Sequence, residues 1–293
     1  MPEPWRTVRV PASSANLGPG FDALGLALGI YLECSFRQAP SLRIRAGGRD
    51  AALISTGEDN LIWQTALKVA ADTGGTLDPI ELEIRNDIPI GKGLGSSAAA
   101  LIAGVVIADE LLGLHWKPLR VLDEAARIEG HPDNVAACVL GSIVASAIDS
   151  GGVAHAVRME LDRHYGVAVV VPDFIVATAE ARRVLPDTYS REDTIFNVQR
   201  SALLSAFPAA LEDRLHQPHR FALVPGLEEI TRLRAPGLLG CALSGAGPSI
   251  LVFYERGHEE VCDLVRQVFA AHGHGSETMW VHIASCGYQM APS

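Results

Sequence analysis

The residues with the clearest chemical meaning form a glycine-rich loop that leads directly into an alanine-rich segment. Glycine reaches backbone conformations closed to other residues and lets a ligand approach the peptide closely. Serine is a favourable residue at a helix start, and alanine is the strongest helix former. The pattern therefore predicts a helix N-terminus, where free N–H groups and the positive end of the helix dipole attract phosphate. The residues predicted to bind a phosphate-bearing ligand are Pro89, Ile90, Gly91, Lys92, Gly93, Leu94, Gly95, Ser96, Ser97, Ala98 and Ala99.

This loop matches neither of two common phosphate-binding motifs. Lys92 is followed by Gly93 instead of the Ser or Thr of a Walker A loop, and position 86 is not a glycine. The spacing also differs from that of a dinucleotide-binding fingerprint. Taken alone, the loop is equally compatible with a plain helix start, in which Ser96 or Ser97 acts only as the N-cap.

Four other segments give the loop a context. Residues 11–22 and 243–249 form two more loops of small residues and glycines, and the three loops resemble the three motifs of the GHMP family of small-molecule kinases. Within that family, residues 11–22, 129–136 and 178–182 are most similar to the homoserine kinases. The segments occur in the family's order and span nearly the whole chain, so we treat the similarity as specific.

The resemblance implies ATP and Mg²⁺ as cofactors. The glycine-rich loop would hold the β- and γ-phosphates, and Ser97 would reach both phosphate and metal. Glu129 matches the acidic metal ligand of the family, whereas an isolated Glu at a helix end is ordinarily a solvated acid. A hard cation prefers oxygen ligands and keeps several waters, so one Ser and one Glu beside phosphate oxygens are sufficient. The family's adenine pocket falls on residues 60–62, which makes Asn60 a predicted nucleotide contact.

The resemblance also implies an amino-acid substrate, L-homoserine. Asp22 would pair with its ammonium or contact its hydroxyl, and Arg182 would bind its carboxylate, because a guanidinium fork matches a planar carboxylate with two bonds. Thr178 would support the site through its hydroxyl. Without the resemblance, such residues are ordinary turn residues and surface arginines. The predicted substrate-binding residues are Asn16, Asp22, His131, Asn134, Arg182 and Arg220.

The activity that follows is ATP-dependent phosphorylation of the side-chain hydroxyl of L-homoserine. Asn134 cannot accept a proton at neutral pH, so the favoured mechanism is direct transfer with positioning and charge neutralisation. Asp22 as a general base is the alternative. A GHMP kinase for mevalonate or a sugar, and a non-catalytic ligand-binding member, also stay open. The predicted catalytic residues are Ser97, Glu129, Asn134 and Thr178.

Composition excludes several other classes of function. The 293 residues include 24 Lys and Arg against 34 Asp and Glu, a net charge of −10. Because no run of basic residues exceeds two, a nucleic acid partner is not expected. No apolar stretch is long enough to predict a membrane span, and the N-terminus lacks a secretory signal pattern. Five scattered cysteines indicate free thiols and a cytoplasmic protein. A homodimer is compatible with the resemblance.

The elements that must position these residues mix strands and helices without a regular βαβ rhythm, which predicts an α+β fold. Helical patterns cover residues 61–72, 119–129 and 193–212, and an apolar strand-like run covers 139–148. The resemblance implies a two-domain GHMP kinase fold, with an S5-domain-2-like N-terminal domain and a ferredoxin-like C-terminal domain. We place the ATP-binding domain at residues 1–150 and the C-terminal GHMP domain at residues 151–293.

Overall fold

Two β-sheets organise residues 4–160, 164–204 and 210–291, the part of the chain that the computed structural model describes. The larger sheet has the order β11-β1-β2-β4-β3, and β5 pairs with both β2 and β6. The smaller sheet is antiparallel, in the order β10-β7-β9-β8. The strands are β1 (Arg6–Ala15), β2 (Leu24–Gln38), β3 (Arg43–Gly48), β4 (Ile80–Asn86), β5 (Ile143–Ile148), β6 (Ala154–Met159), β7 (Tyr165–Pro172), β8 (Leu238–Leu243), β9 (Ile250–Glu255), β10 (Ser276–Val281) and β11 (Gln289–Ala291).

Helices cover these sheets, and the α+β prediction is confirmed. Two 3₁₀ turns, Ala51–Leu53 and Pro218–Arg220, supplement them. None of the helices in the described ranges is both long and apolar enough to cross a membrane. The helices are α1 (Leu61–Asp72), α2 (Ser96–Leu112), α3 (Pro118–Glu129), α4 (Asp133–Leu140), α5 (Thr178–Arg183), α6 (Arg191–Leu204), α7 (Leu227–Thr231) and α8 (Val261–Ala271).

Helix α2 is the central element of the first half of the chain. It is apolar on nearly all sides, because it packs against α1, α3, α4 and the larger sheet. Gly104 permits the close approach of α1, since a Cβ there would lie 2.6 Å from the Cβ of Thr65. Gly113 ends the helix in the left-handed conformation. This packing fixes the direction of α2, so its N-terminus is a rigid platform beside β1 and the turn that follows β8.

Local signals predicted some elements well and others poorly. Asn60 caps α1 by accepting hydrogen bonds from the N–H groups of Ile62 and Trp63, and the predicted bounds of that helix are confirmed. The strand predicted at 139–148 is wrong for its first residues, because α4 continues to Leu140. Strand β5 begins only after Gly141 and Ser142, which both have positive φ. Of the helix predicted at 193–212, residues 193–204 are helical and residues 210–212 are not, and residues 205–209 lie outside the described part.

The chain changes sheets later than the predicted boundary at residue 150. Strand β6 still pairs with β5 in the larger sheet, whereas β7 belongs to the smaller one. The chain then returns to the larger sheet through β11, which pairs with β1. Neither β6 nor β11 was expected from sequence. The division at residue 150 therefore remains a proposal, and the sheets favour a boundary just beyond Met159.

Candidate active site

The N-terminus of α2 carries no side-chain cap. Gly95 occupies the N-cap position in the left-handed conformation, with φ of 68°. Ser96 and Ser97 are therefore the first two helical residues, and the expectation that one of them is the N-cap is wrong. The N–H of Ala99 donates to the carbonyl of Gly95, the N-cap residue, and this bond opens the helical hydrogen-bond series. The preceding N–H groups have no acceptor within the helix, which is the arrangement that binds an anion.

The loop before α2 is held by the turn that follows β8. Gly93 has φ of 76°, and a Cβ there would lie 2.2 Å from the carbonyl oxygen of Ser244. The hydroxyl of Ser244 donates to the carbonyl of Gly93 at 2.6 Å and contacts the hydroxyl of Ser14 at 2.8 Å. The three small-residue loops noted in the sequence therefore contact one another directly.

A single cleft brings most of the predicted site residues together. Its free volume is about 140 Å³, and it lies between the start of α2, the first loop and the N-terminus of α5. Of the predicted residues, the cleft is lined by Asn16, Asp22, Gly93, Leu94, Gly95, Ser96, Ser97, Ala98, Glu129, His131, Asn134, Thr178, Arg182 and Arg220.

A second, mainly apolar cavity of about 340 Å³ opens on the other side of Ser96 and Ser97. Its apolar wall includes Leu53, Ile54, Leu61 and Ile62, and Asn60 and Ile90 also line it. The Asn60 side chain is largely engaged by the protein, because its Nδ2 donates one hydrogen to the carbonyl of Ser55 while its Oδ1 caps α1. Asn60 therefore shapes this cavity and keeps at most one amide hydrogen for a ligand.

Four residues of the predicted phosphate loop line neither cavity. Pro89 and Ala99 are buried, and Gly91 is exposed beside the side chain of Ile175. Lys92 corrects a specific expectation, because its Nζ donates to the carbonyls of Pro172 at 2.8 Å and Phe174 at 2.7 Å. Burial lowers the pKa of Lys92. Its ammonium thus ties the loop to the end of β7 and is directed away from the phosphate site.

Asp22 and Arg182 form a bidentate ion pair across the cleft. Arg182 Nη2 lies 2.9 Å from Asp22 Oδ1, and Nη1 lies 3.2 Å from Oδ2. Asn16 shapes the loop that carries Asp22: its Oδ1 accepts from the N–H of Asp22, and its Nδ2 donates to the carbonyl of Gly245. The pair therefore presents one carboxylate and one guanidinium side by side at the cleft.

Arg220 is only 2% exposed and is largely engaged by protein acceptors. Its Nε donates to the carbonyl of Ala181, and its Nη1 donates to the carbonyl of Gly245, both at 3.0 Å. Burial lowers the pKa of Arg220 to about 10, so it remains charged at neutral pH. Among the described residues, Nη2 of Arg220 has no hydrogen-bond acceptor. Arg220 was predicted to bind substrate, and in this conformation only Nη2 is left to do so, because Nε and Nη1 donate to protein groups.

The segment from Glu129 to Asn134 forms the opposite wall. Burial raises the pKa of Glu129, the last residue of α3. His131 Nδ1 lies 2.7 Å from Asp133 Oδ1, and this hydrogen bond raises the pKa of His131. Asn134 Oδ1 accepts from the hydroxyl of Ser13 at 2.9 Å. His131 and Asn134 are therefore oriented by neighbouring side chains before any ligand arrives.

Sequence reasoning missed several residues that shape the cleft. Ser13 and Asp133 lie inside the motifs already noted, so their polar side chains were a usable signal. Phe21 lies beside Asp22 and lines the cleft, with its ring 5.9 Å from the guanidinium carbon of Arg182. His216 is completely buried behind the cleft and had no local signal, because it belongs to no motif.

Comparisons with known proteins agree with the family resemblance of the sequence and with the fold. A family model described as the GHMP kinases N terminal domain matches residues 60–142, and one described as GHMP kinases C terminal matches residues 199–271. A homoserine kinase from Solibacter usitatus is 68% identical over 295 residues, which cover 98% of this chain and 97% of that protein. The crystal structure of homoserine kinase from Cytophaga hutchinsonii superposes with a TM-score of 0.82 at 26% identity, covering 99% of this chain and 98% of that one.

A more distant structural likeness extends to sugar kinases. Lactococcus lactis galactokinase, complexed with galactose, superposes with a TM-score of 0.66 at 17% identity, covering 98% of this chain and 95% of that one. At this identity the likeness concerns the fold alone.

Proposed function

The chain belongs to the GHMP kinase family, and from this premise we propose that it phosphorylates the side-chain hydroxyl of L-homoserine with ATP. The products are O-phospho-L-homoserine and ADP. The observation that carries the proposal is the Asp22–Arg182 pair, which faces the same cleft as the open N-terminus of α2. One end of the cleft thus suits phosphate, and the other suits a molecule with both an ammonium and a carboxylate.

At the nucleotide end, the N–H groups of the first turn of α2 would hold the phosphates, and the apolar cavity beside Ser96 and Ser97 would take the adenine. Ser97 and Glu129 fit Mg²⁺, because both offer oxygen ligands to one cleft and the partly buried carboxylate of Glu129 would gain a cation that offsets its desolvation. When bound, Mg²⁺ neutralises charge that develops on the transferred phosphoryl group. Asp22 and Asp133 are less suitable ligands, since Arg182 and His131 already compensate them.

At the amino-acid end, the substrate would exchange with the internal ion pair. Its carboxylate would take the place of Asp22 on Arg182 and reach Nη2 of Arg220, while its ammonium would pair with Asp22. This exchange keeps every charge compensated, which is what a partly buried site requires. A substrate without both charged groups, such as a sugar, would break the pair without replacing it.

The chemistry requires positioning more than proton abstraction. Asn134 and His131 lie on the wall where the substrate hydroxyl would lie, and Ser13 and Asp133 orient them. Asn134 can donate to the hydroxyl oxygen but cannot act as a base. Because phosphoryl transfer proceeds through a loose transition state, alignment and charge neutralisation supply most of the acceleration. Thr178 begins α5 and would keep Arg182, on the same short helix, in register with the cleft.

Three further properties are part of the same proposal. We assign the nucleotide site to the first half of the chain, and the carboxylate-binding arginines to the second half. We also propose a cytoplasmic location and a homodimer. Size-exclusion chromatography with light scattering measures the oligomeric state directly.

The test is ADP release by the full-length protein with L-homoserine, mevalonate or galactose, each with and without Mg²⁺. We expect turnover with L-homoserine only, strict dependence on Mg²⁺, and a phosphomonoester resonance of the product in ³¹P NMR. Turnover with mevalonate or galactose and none with L-homoserine would overturn the proposal. Tight nucleotide binding without turnover on any of the three alcohols would indicate a non-catalytic member.

A further inference from the structure

His216 is a fully buried residue whose two ring nitrogens are both engaged. Nε2 lies 2.7 Å from the carbonyl oxygen of Gly18, and Nδ1 lies 3.0 Å from Nη1 of Arg220. A carbonyl only accepts hydrogen bonds and a guanidinium only donates them. Nε2 must therefore carry the proton, and Nδ1 must be the acceptor. Only the neutral Nε2–H tautomer satisfies both partners, which agrees with the lowering of the His216 pKa by burial.

These hydrogen bonds belong to a closed cycle that joins Arg220 to the first loop. Nη1 of Arg220 also donates to the carbonyl of Gly245, which in turn accepts from Nδ2 of Asn16. Asn16 and Gly18 are two residues apart in the first loop. The cycle of hydrogen bonds therefore runs from Gly18 through His216, Arg220 and the carbonyl of Gly245 back to Asn16. Phe21, from the same loop, stacks on the His216 ring with centroids 5.2 Å apart. The position of the Arg220 guanidinium is thus coupled to the position of the loop.

His216 is itself held in place by a polar framework. The buried carboxylate of Asp213 accepts from the N–H groups of Leu215, His216 and Gln217, at 2.9, 3.0 and 2.6 Å. Asn197 on α6 donates both to that carboxylate and to the carbonyl of Pro19, so the same helix also anchors the first loop. The backbone of His216 cannot shift without breaking these bonds. The orientation of its imidazole is then fixed by the bonds to Gly18 and Arg220.

We propose that His216 is a positioning residue for substrate binding, which directs Nη2 of Arg220 at the substrate carboxylate. The proposal deepens the proposed function and rests on it for the identity of the substrate. A neutral acceptor suits this role. It satisfies a buried guanidinium without neutralising it, whereas a carboxylate at this place would compete with the substrate for Arg220.

The decisive variant is His216→Phe, which keeps the ring and its stacking on Phe21 but removes both nitrogens. We expect KM for L-homoserine to rise about 10- to 100-fold, because a displaced Nη2 of Arg220 would lose its charge-assisted hydrogen bond to the substrate carboxylate. KM for ATP and kcat should stay within about threefold, because interactions made equally in ground and transition states act on KM. His216→Asn restores an acceptor near the Nδ1 position and should recover most of the lost affinity.

The control variant is His219→Phe, because His219 lies on the 3₁₀ turn that carries Arg220 and its ring faces Tyr189 edge-on. Its kinetics should match those of the wild-type protein. A second control is the substrate homoserinol, in which the carboxylate is replaced by CH₂OH. His216→Phe should leave KM for homoserinol unchanged, whereas a purely structural defect would weaken both substrates alike. Equal losses for the two substrates, or no loss for either, would overturn the proposal.

A spectroscopic measurement covers the case in which His216→Phe does not fold. In ¹⁵N-histidine-labelled wild-type protein, the His216 signals, identified by their loss in His216→Asn, should show a protonated Nε2 and an unprotonated Nδ1. A protonated Nδ1 would overturn the proposal without any reference to activity. Absence of turnover by the wild-type protein with L-homoserine would instead refute the proposed function, so the two failures are distinguishable.

Discussion

Replacing Arg182 with alanine should separate substrate binding from stability. In the unliganded protein its two terminal nitrogens bond to both oxygens of Asp22, at 2.9 and 3.2 Å. The two side chains are 40% and 34% exposed, so solvent screens the pair. An exposed ion pair contributes about 0–1 kcal/mol to folding. We therefore expect the free energy of unfolding of Arg182→Ala to fall by less than about 1 kcal/mol.

The effect on the substrate should be much larger. Arg182 is the residue left with a complete guanidinium fork for a carboxylate, because Nε and Nη1 of Arg220 are occupied by protein acceptors. Charge-assisted hydrogen bonds contribute about 1.5–3 kcal/mol, which corresponds to a rise in KM for L-homoserine of about 10- to 100-fold. Arg182→Lys should give an intermediate value, since it keeps the charge and loses the planar fork.

The assay is steady-state ADP release at varied L-homoserine and at varied ATP, with thermal unfolding of each variant measured in parallel. Arg183→Ala is the matched control, because Arg183 is adjacent to Arg182 and its side chain is 78% exposed. Its ion pair with Glu180 is long at 3.8 Å and solvent-screened. Its KM values should equal those of the wild-type protein. If Arg182→Ala binds L-homoserine as tightly as the wild-type protein does, or if Arg183→Ala weakens it equally, the assignment of the carboxylate to Arg182 is wrong.

Three other substitutions test the remaining parts of the site. Gly95→Ala should lower stability by about 1–3 kcal/mol and weaken ATP binding at least tenfold, because φ is 68° and the new Cβ would lie 2.0 Å from the hydroxyl of Ser13. Gly74→Ala is the control, since Gly74 has a similar φ and open space around it. This control should lose only about 1 kcal/mol of stability in thermal unfolding, from backbone strain. Lys92→Met should lower the free energy of unfolding by about 1–3 kcal/mol while KM for ATP stays within about twofold, since its ammonium bonds to carbonyls of the second half of the chain; a selective loss of ATP affinity would return this lysine to the phosphate site. Asp22→Asn should act mainly on KM for L-homoserine, and a fall of kcat by about 10²–10⁴-fold would instead identify Asp22 as a general base.

The sequence by itself determined the elements and motifs whose signals are local. The helical pattern over residues 61–72 predicted α1 correctly, and the glycine-rich loop followed by alanines predicted that α2 begins close to Ser96. Caps and glycines act within a few residues, so they can be read without a fold. The run at 139–148 was read wrongly because an apolar stretch does not by itself distinguish a buried helix end from a strand.

Only the tertiary structure decided how the charged side chains are used. The sequence assigned Lys92 to phosphate, but its ammonium bonds to the distant carbonyls of Pro172 and Phe174. Arg220 keeps only Nη2 for a ligand, because the carbonyl of Gly245 and other protein groups take up its remaining donors. The pairing of Asp22 with Arg182 joins residues far apart in the chain, and no local pattern encodes it. Buried polar groups must be satisfied by whatever the fold brings near them. Residue types thus predict the chemistry that is available, and packing decides which groups remain free to perform it.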